Sequence, residues 1–388
     1  MVLGRCERRL YLMPRNQRSK NEPWRIGILF SQTNWTSEVE RTQLCGTLLA
    51  IDEINAGGGV NGREIVPVIY EPGSSASSYV DVAKKLMIKD GVTSIFGCYT
   101  SASRKAIMPV VERFNGLLWY PTPYEGFEAS PNVIYTGAAP NQTIVKLCSY
   151  MLRTYGPRFF LIGSDYVYPR QTNRFLRECL LSQGGIVAAE QYVDIHSPRA
   201  AFKPIAQAVK ESGADVVFST VVGQGTSHLY QAYAEAGLDP KCVPIASLTT
   251  TEAEIHAMGC DVGEAHITAA CYFESIQSDA NNAFIARFKK RFGDHTTPNV
   301  CAETAYFQIY LFAQALEKAD TLDTDILRPY VLGSSFESPQ GCVSINETGH
   351  ADLQSRIGRA NRNGSFDVLV ETPSMVMADP FFLHGPID

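Results

Sequence analysis

Short apolar runs alternate with stretches of helical spacing along most of the chain. Residues 24–30, 64–70, 92–96 and 117–120 read as buried strands, with helices over 38–55, 75–89 and 104–114 between them. In the last of these helices Ile107, Met108, Val110, Val111 and Phe114 form the apolar stripe. Residues 133–137 leave this unit and the alternation restarts. Helices are expected over 141–155, 173–183, 200–212, 226–236 and 251–258, and strands over 159–163, 186–192, 216–220 and 244–247. Residues 266–272 cross back to helices over 280–292 and 301–317, and 341–345 with 365–370 read as a closing strand pair. Alternation of this kind predicts parallel sheets with helices on both faces. The expected fold class is α/β, with two doubly wound parallel-sheet lobes joined by a multi-strand hinge. One lobe takes residues 23–136 plus 272–343 and the other 137–271 plus 344–388, with 1–22 a disordered basic tail and a ligand cleft between the lobes.

The ends of the strands carry the candidate chemistry, because ligands of parallel sheets bind beyond the strands' carboxyl ends. Four such ends are polar: Tyr99 to Ser103, Tyr120 to Tyr124, Tyr166 to Tyr168, and Leu248 to Glu252. Each alone has a structural explanation, such as Thr251 capping a helix with Glu254 three residues on. Together they offer hydroxyls that both donate and accept, and aromatic faces that exclude water. This suits a small neutral ligand such as an amide. An amino-acid ligand would want a carboxylate for its ammonium group; Asp165, Glu125 and Glu274 keep that alternative open. Gly57, Gly58 and Gly59 follow a helix and lack a GxxxxGK[ST] pattern, so they read as a helix stop and turn.

Composition narrows the classes. The chain has 388 residues, 45% hydrophobic and 19% charged, enough for two cores. A net charge of -6 gives no electrostatic reason to expect nucleic-acid binding. No GxSxG, no HExxH and no Cys/His cluster at metal spacing occurs, so no enzyme, metal or cofactor is expected. Cys98 beside the strand end reads as a small buried residue and not as an amidase nucleophile. Ten cysteines scattered without a CxxC pair read as free buried thiols of a reducing compartment. Residues 1–22 contain no apolar run of about 7–15 residues, so no secretory signal is read there and a cytoplasmic protein is expected. No stretch is long enough to span a membrane.

The segments GCYTSASRKAIMPVVER, YPTPYEGFEASPNVIYTGAAPNQ, GSDYVYPRQTNR, VVFSTVVGQGT and PIASLTTTEAE together resemble the amide-sensing negative regulators of bacterial aliphatic amidase operons. The resemblance runs from about residue 24 to 382. It implies the type I periplasmic-binding-protein fold and a kinship with urea and short-chain amide binding subunits of ABC transporters. It further implies a sensor that binds acetamide, propionamide or urea between its lobes. Such a sensor holds an RNA-binding antiterminator protein inactive until the amide releases it. By this resemblance Tyr99 and Ser101 hold the amide from the first lobe, with backbone N–H groups near Ser101. Tyr120 and Thr122 line the same side, Thr122 bounding the acyl space. Tyr166 and Tyr168 close from the second lobe with Thr249 near them. Thr100 departs from the pattern, standing where a larger apolar residue is expected, and the basic N-terminal extension is not part of it. The alternative is a solute-binding subunit of a urea, amide or branched-chain amino acid type ABC transporter. Self-association stays open.

Overall fold

The computed structural model describes residues 22–382. Residues 1–21, nearly all of the expected basic tail and Cys6 with it, lie outside the described residues. Five strands, Trp24–Leu29, Ile65–Ile69, Ser94–Gly97, Leu117–Tyr120 and Val133–Tyr135, form one parallel sheet. Its spatial order is second, first, third, fourth, fifth. The three middle strands are almost wholly buried, which is why they read as continuous apolar runs. The order reverses between Trp24–Leu29 and Ser94–Gly97, which opens a crevice at their carboxyl ends.

The second sheet repeats this plan. Arg158–Ser164, Ile186–Val193, Val216–Thr220, Ile245–Ser247 and Ile267–Ala270 are parallel and again ordered second, first, third, fourth, fifth. Arg356–Ala360 and Phe366–Glu371 extend it antiparallel at one edge. Its reversal lies between Arg158–Ser164 and Val216–Thr220. The two lobes therefore present equivalent crevices, one from Tyr99 and Ser101 and the other from Tyr166 and Tyr168. The chain passes between lobes after Tyr135, after Ala270 and again before Arg356, a linkage of three segments.

Two helices dominate the core of the first lobe. Ser37–Ala56 lies along Val300–Ala319, which is buried on nearly every face. The Tyr306 and Tyr310 hydroxyls both donate to Glu53 at 2.6 Å, and Arg287 donates to the same carboxylate. Phe312 meets the stacked rings of Phe96 and Trp119 edge-on, joining helix to sheet.

The structure departs from the sequence expectation at the C-terminal end. Gly341–Ile345 and the strand near 365–370 do not pair. Gly341–Ile345 forms a hairpin with Ser335–Ser338 and also pairs with Ala351–Asp352, in a separate three-stranded sheet. Phe366–Glu371 pairs with Arg356–Ala360. Each strand takes the neighbour that a short turn delivers, in keeping with the low entropic cost of a short loop.

Gly46 sits where these helices come closest: a Cβ there would run into the Ala302 carbonyl. Gly46→Val is expected to destabilise the fold by about 1–3 kcal/mol through overpacking, read as a lowered thermal midpoint. An unchanged midpoint would mean that the helix pair is not the tight contact described.

Candidate functional site

The helix after the strand Ser94–Gly97 begins at Ser101, three residues earlier than its apolar stripe indicates. Thr100 caps it by accepting from the Ser103 N–H at 3.1 Å. Cys98, at the turn, takes a left-handed φ of 66°, a strained conformation for a residue with a Cβ. In the second lobe the helix begins at Val167, not at 173. The polar exit is therefore shorter than expected: of the stretch 164–170, Ser164 ends the strand, 165–166 make the turn and 167–170 are already the first turn of the helix. Tyr166 is its N-cap, Tyr168 lies in the first turn, and Pro169 is tolerated there because it needs no N–H bond.

The expected site residues divide into two groups. Tyr99, Ser101, Tyr120, Thr122 and Tyr168 are all buried, and Tyr166 is half-buried. Burial pushes the Tyr99 phenol well up, with Cys301, Glu254, Tyr166 and Tyr168 adding to it in that order. Tyr168 in turn feels Tyr120 and Glu125. The helices Ser101–Arg113 and Val167–Ser182 contact each other across the cleft, and Tyr99, Tyr120 and Tyr168 are buried on either side of that contact. Tyr120 donates to the Tyr99 carbonyl at 2.7 Å, and Thr122 accepts from Gln43 at 3.0 Å. Tyr168 and Thr172 lie side by side and close enough to interact, yet neither buried hydroxyl makes a hydrogen bond of normal geometry. Thr249 stands apart: its hydroxyl bonds to Val221 and Ser247 within the second lobe. Two residues on, Thr251 makes the crossing contact, accepting from Asn299 of the first lobe at 3.2 Å.

Three features go beyond what the sequence indicates. Arg104, expected only as a helix start, is fully buried beneath the site. Its Nε donates to Glu128 at 2.8 Å, its Nη2 to Glu125 at 3.1 Å and its Nη1 to the Ser101 hydroxyl at 3.1 Å. Gln43, from the helix Ser37–Ala56, reaches Thr122. Glu254, the capping partner of Thr251, is buried near Tyr99 with one oxygen unpartnered. The Thr100–Ser103 spacing is the available signal for Arg104, since a cap at Thr100 puts Arg104 in the first turn. The three carboxylates that could have met an ammonium group are engaged. Asp165 pairs with Arg170 at 2.6 Å and Glu274 with Lys289 at 3.4 Å. Glu125 is beside the site but committed to Arg104.

The cleft is closed. The Gln224 N–H donates to the Trp35 carbonyl at 3.3 Å across one rim. Gly223 there has φ 62°, and a Cβ would lie 2.5 Å from the Trp35 oxygen. At another point Phe382 stacks on Phe175 of the second lobe at 3.8 Å and touches Phe127 of the first at 5.6 Å.

A family model for the periplasmic binding protein domain matches residues 24–386. The chain belongs to this family. It is 24% identical over 312 residues to a leucine-, isoleucine-, valine-, threonine- and alanine-binding protein of Pseudomonas aeruginosa, covering 79% of this chain and 81% of that one. A solute binding protein of an ABC transporter from Rhodopseudomonas palustris, solved with 3,4-dihydroxybenzoic acid, superposes with a TM-score of 0.82. That match covers 92% of this chain and 98% of the other at 22% identity. A limonene hydroxylase of Geobacillus stearothermophilus is 28% identical over 131 residues, and the chain spans 24% of that relative's length. The fold is the type I periplasmic-binding-protein fold, and its binding-protein relatives agree with a non-enzymatic role. The two binding proteins named lend no support to transcription regulation or to an antiterminator partner.

These findings correct the cytoplasmic expectation: the family and its transporter relatives point to the periplasm. The thiol argument behind that expectation fails on physical grounds. The nine described cysteines are all unpaired. Burial pushes Cys148 and Cys271 up to about 12, and Cys45 and Cys179 to about 11, so those four stay un-ionised and inert in either compartment. Among the described residues no helix is long and apolar enough to cross a membrane.

Buried carboxylic acids give the molecule a pH signature. Burial pushes Glu252 up to about 8, and Glu254 and Glu303 to about 7. It holds His266 down to about 3 and His350 to about 4. Unfolded, glutamate titrates near ~4.3 and histidine near ~6.5. Between about pH 6.5 and 7.5 the unfolded histidines lose their last protons, a smaller opposing effect, while three glutamates keep protons only in the folded state. Stability is therefore expected to fall as pH rises from about 6.5 to 8. Thermal melts across that window check it; a rising midpoint would contradict it. Glu252→Gln should flatten the upper part of the slope.

Proposed function

We infer that the chain is the solute-binding subunit of an ABC transporter, taking a short neutral amide or urea between its lobes. The observation that carries this reading is the convergence of buried tyrosines from both lobes where the helices Ser101–Arg113 and Val167–Ser182 touch, over a floor where Arg104, Lys105, Glu125 and Glu128 already pair with one another. Ser101 and Ala102, in the first turn of the helix Ser101–Arg113, carry N–H groups beyond the reach of the Thr100 cap. They suit a carbonyl oxygen. The unpartnered Tyr168 hydroxyl suits either end of an amide. An amino-acid ligand, as in the Pseudomonas relative, needs an unpaired carboxylate for its ammonium group. Asp165, Glu125 and Glu274 are each held by a cation of this chain, which leaves Glu254, near Tyr99 with one oxygen unpartnered, as the carboxyl at the site that an ammonium group would use.

The solute acts by its differential affinity for the closed state. Tyr99, Ser101, Tyr120 and Thr122 hold it from one lobe. Tyr166 and Tyr168 complete the shell only when the lobes meet. Thr249 belongs to the second-lobe rim of the cleft.

The reading is tested by calorimetric titration of the purified protein with acetamide, propionamide, butyramide, urea and leucine. Binding of a short amide or urea, with leucine silent, is expected. Binding of leucine with the amides and urea silent would overturn the assignment. Tyr168→Phe should weaken binding of whichever solute responds by about 1–3 kcal/mol, as expected for a lost buried hydrogen bond. Unchanged affinity would remove that hydroxyl from the site.

A further inference from the structure

We propose that the Arg104–Glu125 pair fixes the Ser101 hydroxyl as a hydrogen-bond acceptor toward the solute, and so makes the site select amides against the matching carboxylates. This rests on the reading above and names what sets its specificity.

A serine hydroxyl has one hydrogen to donate and two lone pairs to accept with. In this structure the hydrogen is directed at Glu125 Oε2. One lone pair accepts from Arg104 Nη1 at 3.1 Å. Arg104 Nη2 closes the triangle on Glu125 Oε1 at 3.1 Å. Tyr120, beside Ser101, directs its own hydrogen at the Tyr99 carbonyl and so takes no lone pair of Ser101; its oxygen is a second acceptor for the serine hydrogen, weaker than the charged Glu125. One lone pair of Ser101 is left. All three members of the triangle are buried, so none is free to reorient into water.

The helix N-terminus at Ser101 attracts any group that carries an oxygen, and by its dipole acetate at least as readily as acetamide. Discrimination must come from the second atom of the ligand head. An amide or urea brings N–H to the remaining lone pair. A carboxylate brings lone pairs and negative charge beside Glu125, leaving both sides unmatched. Sites that hydrogen-bond a donor on the ligand reject the analogue lacking it far more strongly than apolar pockets reject a methylene. The buried Tyr168 hydroxyl, unpartnered and within the field of Glu125 and Tyr120, is an independent sign that a polar ligand head belongs here. Glu125 and Arg104 are thus positioning residues acting through Ser101.

The experiment compares acetamide with acetate by calorimetry on the wild type, Glu125→Gln and Ser101→Ala. The wild type is expected to prefer acetamide by about 100-fold or more. In Glu125→Gln the amide oxygen should stay on Arg104, the stronger charge-assisted partner. The new N–H then faces Ser101 and turns the serine hydrogen toward the solute. The acetamide-to-acetate ratio should fall by about 10-fold or more, partly through a gain for acetate. Glu128 keeps Arg104 paired in this variant. Should it nevertheless fail to fold, Ser101→Ala gives the second reading: acetamide weakens by about 10-fold while acetate is unmoved. A folded variant that keeps the wild-type ratio, or that loses both ligands equally, overturns the proposal, since a purely structural role scales both alike. A wild type silent to acetamide and urea would instead take down the functional reading and this inference with it.

Discussion

A buried guanidinium governs the architecture of the cleft floor. Removing Arg104 from water costs several kcal/mol unless its charge and donors are met. They are met by Glu125, Glu128 and Ser101, and by the rings of Tyr120 and Tyr124 stacked at 4.6 and 5.0 Å. Those partners come from three different pieces of chain: the helix Ser101–Arg113, the end of the strand Leu117–Tyr120, and the turn leading to Val133–Tyr135. Glu128 also accepts from Tyr135, whose ring lies flat against His350. His350 bonds Tyr124 at 2.6 Å and lies in the turn between Gly341–Ile345 and Ala351–Asp352 of the small sheet. One charge therefore ties the strand ends to the small sheet, and removing either carboxylate leaves part of it unmet.

Closure follows from the same economy of polar groups. The two rims meet through a backbone hydrogen bond at Trp35 and a ring stack at Phe382, both modest contacts. Against them stand buried hydroxyls that the protein itself does not satisfy, each costing about 1–3 kcal/mol. A closed state held by weak rims and burdened by unmet hydroxyls is poised. A solute that completes those bonds shifts the population by the free energy it contributes to the closed form alone. Tyr166 and Tyr168 sit at the start of a rigid helix, so their position is coupled to movement of the whole lobe.

Much of this is legible in the sequence, and what is not shares a cause. The strands Leu117–Tyr120 and Val216–Thr220 are readable to the residue because buried parallel strands are continuous apolar runs bounded by turns. The alternation yields both lobes and both polar crevices. The helix starts at Ser101 and Val167 escape the periodicity, because first turns facing a site carry hydroxyls and aromatics where an apolar stripe is sought. The role of Arg104 is hidden because its partners stand 21 and 24 residues away. The pairing of the C-terminal strands is hidden for the same reason: apolar periodicity identifies a strand but not its neighbour. Local patterns specify elements, and only the folded chain specifies which distant groups meet.

The scaffold alone does not fix the ligand, since a relative of this fold was solved with an aromatic acid and another is an amino-acid binder. What differs between solutes is the charge the cleft must neutralise. Here Lys105 lies against Glu125 at 3.4 Å and also contacts Glu128, which joins it to the Arg104 cluster as a set of two cations and two carboxylates. A ligand carboxylate entering this floor would have to displace a buried glutamate from its arginine, an exchange with no net gain in pairing. A neutral head need only complete the hydroxyls that are already held in place. The neutrality of the floor, more than the shape of the lobes, is therefore the physical argument for a neutral solute.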